Sequence, residues 1–234
     1  MLKKLMISAA ALCVAAPAAL STASAQEVGV SASIDYVSQY VFRGYGLAEG
    51  AIQPGVELSY GGLYGGVWYS APVENDEFYL EETDFYVGYG FALSETISAD
   101  VGVTAYTYSD DVDTTTEVYG GLSFDAPLAP SVYAYYDFDL EIFTLEGSGG
   151  YSWPLAEATS LDLGFAAGFA QGDDVDWQYA SVGLAVSQAF SEFVSGYAGI
   201  NAGVNSEDGF IDDIEMGEFE STGIWAGVGL SFSN

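Results

Sequence analysis

The sequence predicts an all-β fold: a closed antiparallel transmembrane β-barrel of about 12 strands with both termini periplasmic. Three observations carry the expectation. They are an N-terminal export signal, segments of about ten residues that alternate apolar with small or polar side chains, and connections that alternate between short and long.

The export signal comes first along the chain. Lys3 and Lys4 form a basic start, Leu5 to Leu20 an apolar stretch, and Ala23-Ser24-Ala25 a small-residue cleavage site. Residues 1–25 therefore read as a secretory signal peptide, and residues 26–234 as one outer-membrane barrel domain of a Gram-negative bacterium. The only cysteine, Cys13, lies inside the signal behind Leu12, where a lipoprotein site takes a small residue, so neither a lipid anchor nor a disulfide is expected. Beyond the signal no apolar run approaches the roughly 18 residues of a spanning helix, which leaves a barrel as the only way to span.

The alternating segments follow in order. Strands are expected over Val28 to Arg43, Ile52 to Tyr60, Leu63 to Ser70, Glu82 to Ala92, Ile97 to Tyr108 and Glu117 to Phe124. The remainder run over Val132 to Phe138, Phe143 to Trp153, Leu161 to Phe169, Gln178 to Val186, Val194 to Val204 and Thr222 to Phe232. In the first, Val30, Ala32, Ile34, Tyr36, Tyr40 and Phe42 share the apolar parity, while Ser31, Ser33, Asp35, Gln39 and Arg43 share the wettable one. Pro54 cannot donate to a ladder, which predicts a bulge in the second strand.

Gly61-Gly62 is the tightest connection, and Leu93 to Thr96, Asp125 to Pro130, Pro154 to Ser160 and Ala189 to Glu192 are also compact. Between them fall the acidic stretches Pro72 to Glu81, Ser109 to Thr116, Gln171 to Asp176 and Asn205 to Ser221. Parity alone suits a soluble sandwich equally well, with its apolar face turned inward. The export signal, the regular hairpin length and the alternation of turns with loops favour the barrel. Val30, Ile34, Val103, Leu163, Phe165, Val182 and Val228 then face lipid, and Tyr60, Tyr69, Phe91, Phe124, Tyr151, Trp153, Phe169 and Phe232 form the interfacial girdles.

Charge excludes several functions. With the signal removed, Arg43 is the one base against 34 acids. Nucleic acid is not a partner, because phosphate binding needs bases that release counterions. Histidine is absent altogether, which removes the usual general base, the usual metal ligand and the Ser-His and Cys-His nucleophile systems. Neither an enzyme nor a cofactor is expected. Glu81 and Glu82 do not by themselves make a glycosidase pair, since that chemistry requires a defined carboxylate separation.

The wettable parity supplies the candidate pore lining: Asp35, Gln39, Arg43, Glu57, Asp84, Asp100, Tyr133, Tyr135, Asp162 and Tyr197. Arg43 either orients anionic groups in a constriction or pairs with a lumenal acid such as Glu57 or Glu220. The cost of an unpaired confined charge favours pairing. The inward tyrosines either form a sliding surface for sugars or cover neighbouring glycines, and packing is the simpler account. Three loops carry acidic tetrapeptides, with Asp110, Asp111 and Asp113, then Asp173, Asp174 and Asp176, then Asp212, Asp213 and Glu215. These are weak candidates for a divalent cation, lacking the glycine and final glutamate of an EF-hand loop. Solvated acidic loops are the plainer reading.

One resemblance adds to this. Tyr36-Val37-Ser38-Gln39-Tyr40-Val41-Phe42-Arg43-Gly44, then Gln53 with Gly55, then Leu63-Tyr64-Gly65-Gly66-Val67-Trp68-Tyr69-Ser70 and Asp84-Phe85-Tyr86-Val87-Gly88-Tyr89 resemble the TorF-like family of outer-membrane porins. Gln39 departs from the acid common there, and the chain ends in Ser233-Asn234 instead of an aromatic, which weakens the signal for the barrel-assembly machinery. The resemblance implies fold and location, with outer-membrane lipid, lipopolysaccharide and the assembly machinery as partners; no feature sets an oligomeric state. Passive, cation-favouring diffusion is the expected function, and a closed non-conducting barrel serving as a structural or adhesive surface protein is the alternative. Twelve strands sit between the side-chain-filled eight and the water-filled sixteen.

Overall fold

The computed structural model describes residues 28–74, 79–109, 112–173, 175–213 and 217–234. The expected signal peptide lies outside them. The strands are β1 Val28–Val37, β2 Tyr40–Phe42, β3 Tyr45–Ala48, β4 Ala51–Tyr60, β5 Leu63–Pro72, β6 Glu82–Ala92, β7 Ile97–Tyr108 and β8 Thr115–Phe124, then β9 Ser131–Asp137, β10 Ile142–Ala156, β11 Thr159–Gln171, β12 Asp176–Ala189, β13 Val194–Asn205, β14 Phe210–Asp213, β15 Glu218–Glu220 and β16 Thr222–Ser233. Twelve of them, β1, β4 to β13 and β16, close into one antiparallel barrel in which β1 pairs with β4 on one side and β16 on the other. Closure leaves no free sheet edge, as a barrel in hydrocarbon requires.

Side chains alternate across this wall as the sequence predicts. Ile34, Leu58, Phe85, Val101, Val182, Ile200 and Val228 point outward, each about half exposed. The girdle residues Tyr60, Phe91, Tyr151, Trp153, Phe169 and Phe232 are exposed as well. On the inward parity, Gln53, Asp84, Thr104, Glu117, Asp137 and Thr144 are buried. An apolar exterior around a polar interior is the inverse of a soluble sandwich and suits a wall facing lipid. Strand β1 begins and β16 ends at the tight-turn end, whereas β1 and β4, β5 and β6, β7 and β8, and β13 and β16 are joined at the opposite, loop end.

Two expectations are corrected. Pro54 makes no bulge: β4 keeps one register against β1, with Ile34 opposite Pro54, and one register against β5 on either side of the proline. A proline withholds a single donor, and the pairing lapses locally without inserting a residue. The larger correction concerns the first strand, which leaves the wall at Val37 instead of running to Arg43. Val37 pairs with Ala51, and residues 38–50 form an excursion containing the small hairpin β2–β3.

The cause is local backbone chemistry. Ser38 N–H donates to Ala226 O at 2.8 Å, and Ser38 Oγ accepts from Ala226 N–H at 2.9 Å, which ties off the stave. At the hairpin tip Arg43 and Gly44 both have positive φ, 45° and 84°. A two-residue hairpin turn with positive φ at both central positions matches the twist of its strands, and glycine at the second position adopts it freely. Tyr40 and Phe42, expected to face lipid, are instead 3% and 2% exposed, packed inside with Val37, Ala51, Trp177 and Tyr179. The alternation falters at Val37 and Ser38 alone, and Tyr40 and Phe42 resume the apolar parity, so parity does not mark the inward turn.

Candidate functional site

The site is the narrowing made where the β2–β3 hairpin folds into the lumen. Its tip reaches the far wall. Arg43 Nη1 and Nη2 donate to Glu117 Oε2 and Oε1 at 2.7 and 3.0 Å, a bidentate pair whose side chains are 7% and 3% exposed. Glu117 Oε1 also accepts from Tyr106 Oη at 3.0 Å. Arg43 Cζ lies 4.1 Å from the Tyr135 ring centroid and 4.5 Å from that of Phe42, so the planar cation is held between aromatic faces. Burial alone would lower the Arg43 pKa, but the facing Glu117 carboxylate more than offsets it and the net direction is upward. The guanidinium is permanently charged.

The backbone of the tip is held from other strands. Trp177 Nε1 donates to Arg43 O at 2.9 Å, Asn205 Nδ2 to Gly44 O at 2.9 Å, and Gly46 N–H to Gly209 O at 2.8 Å. Tyr40 Oη donates to Glu82 Oε2 at 3.3 Å and Gln39 Nε2 to Ile211 O at 2.9 Å. Burial first, and the Glu82 charge second, push the Tyr40 hydroxyl well above its ordinary range, so it remains a donor. Contacts to β6, β8, β12 and β13 make the hairpin a strut across the barrel.

Arg43 is thus paired with a carboxylate, as expected, but neither named partner supplies it. Glu57 accepts from Tyr86 Oη at 3.1 Å, and Glu220 lies on β15. Both are neighbours of a straight first strand; the inward turn carries the arginine across to β8 instead. Glu81 and Glu82 also separate, Glu81 being exposed in the loop before β6 and Glu82 buried at its start.

Below the strut the wall from β5 to β9 carries interlocked tyrosines and acids. Tyr64 Oη donates to Asp100 at 2.9 Å and shares a 2.6 Å hydrogen bond with Tyr119 Oη, while Tyr133 Oη reaches Asp100 at 3.4 Å. Tyr133 and Tyr135 stack with centroids 6.0 Å apart. These rings lie over glycines: a Cβ on Gly88 would meet the Tyr64 ring, and one on Gly121 the Tyr133 ring. The covering of glycines is therefore present. From β10 through β13 to β16 many inward positions are small, among them Gly150, Gly164, Gly183, Ala185, Gly199 and Gly227, with Glu146, Trp177, Tyr179 and Trp225 as the larger exceptions. The interlocked tyrosines and acids thus lie on the β5 to β9 wall, and small residues are frequent on the other.

The remaining candidates fall around this plan. Asp84 and Asp100 are 4% and 9% exposed on the charged wall. Asp162, on the small-residue wall, accepts from Ser160 Oγ at 3.1 Å, and Asp35 with Tyr197 covers Gly229 near the turn end. Sequence reasoning missed Glu82, Tyr106, Glu117 and Glu146, although parity with Asp84 and Tyr119 marks Glu82 and Glu117 as inward. In the acidic loops Asp113, Asp173, Asp176 and Asp212 are exposed. Asp110, Asp111, Asp174, Glu215 and the Asp213 side chain lie outside the described residues, and among the described residues no three carboxylates gather closely enough to hold a metal ion.

Beside the hairpin tip is a cavity of about 120 Å³, lined by Phe42, Arg43, Tyr135, Glu146, Ala166, Tyr179, Ser181, Phe210 and Trp225, with neighbouring backbone.

The fold is shared with solved porins. The KdgM porin superposes with a TM-score of 0.58 at 10% identity, covering 87% of this chain and 98% of its own. The NanC porin gives 0.58 at 12% identity with the same coverage, and a KdgM porin in complex with disordered oligogalacturonate gives 0.57 at 10%. No curated protein matches the chain in sequence. A family model matches residues 21–179, a stretch that includes every motif of the TorF-like resemblance although its description does not carry that name. On that match the chain belongs to the Gcw_chp family, described as a bacterial protein of unknown function.

Proposed function

We propose that this chain is an exported outer-membrane barrel of a Gram-negative bacterium, a TorF-like porin that passes small solutes or ions passively and favours cations. On this reading the signal is cleaved before Gln26, the termini are periplasmic, and outer-membrane lipid, lipopolysaccharide and the assembly machinery are its partners. Neither a cofactor nor catalysis is involved. The observation that carries the reading is the charge of the lumen. Glu57, Glu82, Asp84, Asp100, Glu117 and Glu146 face inward against one guanidinium, which is already paired with Glu117. A low-dielectric wall focuses such a field and concentrates cations in the path.

The fold likeness supports passage but does not transfer cargo. Oligogalacturonate, described with a KdgM porin, is a chain of sugar acids. This lumen would repel such a chain. Neutral or cationic solutes fit it better.

Reversal potentials across a KCl gradient in planar bilayers test the reading. Cation selectivity is expected, shrinking as salt shortens the screening length from about 10 Å at 0.1 M to about 3 Å at 1 M. Anion preference overturns it. One observation favours a second reading, a closed barrel with a structural or adhesive role: the hairpin spans the lumen and is held by a buried ion pair. Folded protein that never conducts in repeated reconstitutions would establish that alternative.

A further inference from the structure

We propose that the cavity beside the hairpin tip binds small quaternary ammonium cations, for which tetramethylammonium and choline are the simplest probes. The inference rests on the cation-favouring reading and names the solute class that would pause at the constriction.

Its walls are aromatic. Phe210 and Trp225 stack at 5.9 Å with 29° between their planes, and Tyr179, Tyr135 and Phe42 complete the lining. Aromatic faces attract desolvated cations through their quadrupoles, most effectively where several rings surround one site. The size fits as well: about 120 Å³ is roughly the room of four waters at about 30 Å³ each, the scale of one small organic ion.

The charges select the sign. Two residues in the lining are ionic, Arg43 and Glu146. Arg43 is held by Glu117 in a bidentate pair, so its charge is compensated from outside the cavity. Glu146 has only this same base near it, shared with Glu117, and its Oε2 accepts a 2.7 Å hydrogen bond from Tyr179 Oη. The cavity is left with one carboxylate to balance.

The acceptors select the kind of cation. The carbonyls of Arg43 and Gly44 already accept from Trp177 Nε1 and Asn205 Nδ2, both at 2.9 Å. A metal ion needs several oxygen ligands and a primary ammonium has three donors to satisfy. A quaternary ammonium group has no N–H donor. It needs only the opposite charge and the ring faces, and these are what the cavity offers.

Titrating the folded barrel in detergent with tetramethylammonium or choline chloride tests this, against NaCl at equal ionic strength. Tryptophan fluorescence reads it, because Trp225 lines the cavity, and calorimetry provides an independent readout. A saturable response to the organic cations only is expected, weakened at least about tenfold by Glu146→Gln, the scale of losing an opposite charge at close range. If Glu146→Gln does not assemble, Ala166→Leu, which narrows the cavity at constant charge, should abolish the response. An equal response to NaCl, no saturable response, or binding indifferent to both substitutions overturns the proposal. Saturable binding to a barrel that does not conduct supports the site while overturning the channel reading; cation-selective conductance without saturable binding overturns the site alone.

Discussion

Replacing Glu117 with Gln should release the hairpin, and the sequence contains its own reporter. Beyond Lys4 the only trypsin site in the chain is Arg43, at the tip of the strut. In the native barrel its side chain is 7% exposed and bonded at 2.7 and 3.0 Å to Glu117, so trypsin cannot reach it. Glu117→Gln keeps the volume and one acceptor but removes the carboxylate bonded to the buried guanidinium. Breaking a buried ion pair by removing one partner costs about 3–5 kcal/mol, and the acceptor kept by Gln places this case near the lower end. The bonds to Arg43 O and Gly44 O remain, each contributing about 1 kcal/mol net.

Where the hairpin reopens and recloses faster than trypsin cuts, cleavage follows the open population, so about 3 kcal/mol predicts cleavage faster by about two orders of magnitude. Limited proteolysis of the folded barrel, with the new terminus at Gly44 identified by mass spectrometry, measures this. Arg43→Lys should behave similarly, since it keeps the charge and the cleavage site while losing the bidentate fork. Equal resistance of wild type and Glu117→Gln over a hundredfold range of trypsin would refute the argument that the ion pair holds the strut.

Three further outcomes follow from the wall. Val182→Arg places a charge on the outward face midway along β12 and should destabilise the barrel by about 2–4 kcal/mol in lipid, seen as a lower denaturant midpoint for the heat-shifted gel band. Gly121→Val should cost about 1–3 kcal/mol by driving a side chain into the Tyr133 ring, read in the same assay, whereas Gly61→Asn at the open turn should be nearly neutral. If the barrel conducts, Asp84→Asn should lower cation selectivity at both 0.1 and 1 M KCl, while neutralising Asp113, Asp173 and Asp212 on the exposed loops should matter mainly at the lower salt; reversal potentials of the two variants distinguish confined from screened charge.

Most of the wall was legible in the sequence. The strands Glu82–Ala92 and Ile97–Tyr108 coincide with their expected spans, and most other staves differ by one to three residues at their ends. Each stave is constrained twice over, by lipid on one face and the lumen on the other, so its period of two is written continuously along it. The acids and tyrosines of the lumen were legible for the same reason.

What the sequence could not reveal is where the first segment stops being wall. Tyr36, Tyr40 and Phe42 have the same parity and the same chemistry, yet Tyr36 is 45% exposed outside the barrel and Phe42 is 2% exposed within it. An aromatic ring is equally at home against lipid and against a protein core, so parity carries no information about which one it meets. The sequence by itself determined a barrel with an apolar exterior and an acidic interior. The tertiary structure decided that Arg43 crosses to Glu117 and that the lumen is braced by a strut, because these depend on which distant strands a folded-in hairpin finds opposite it.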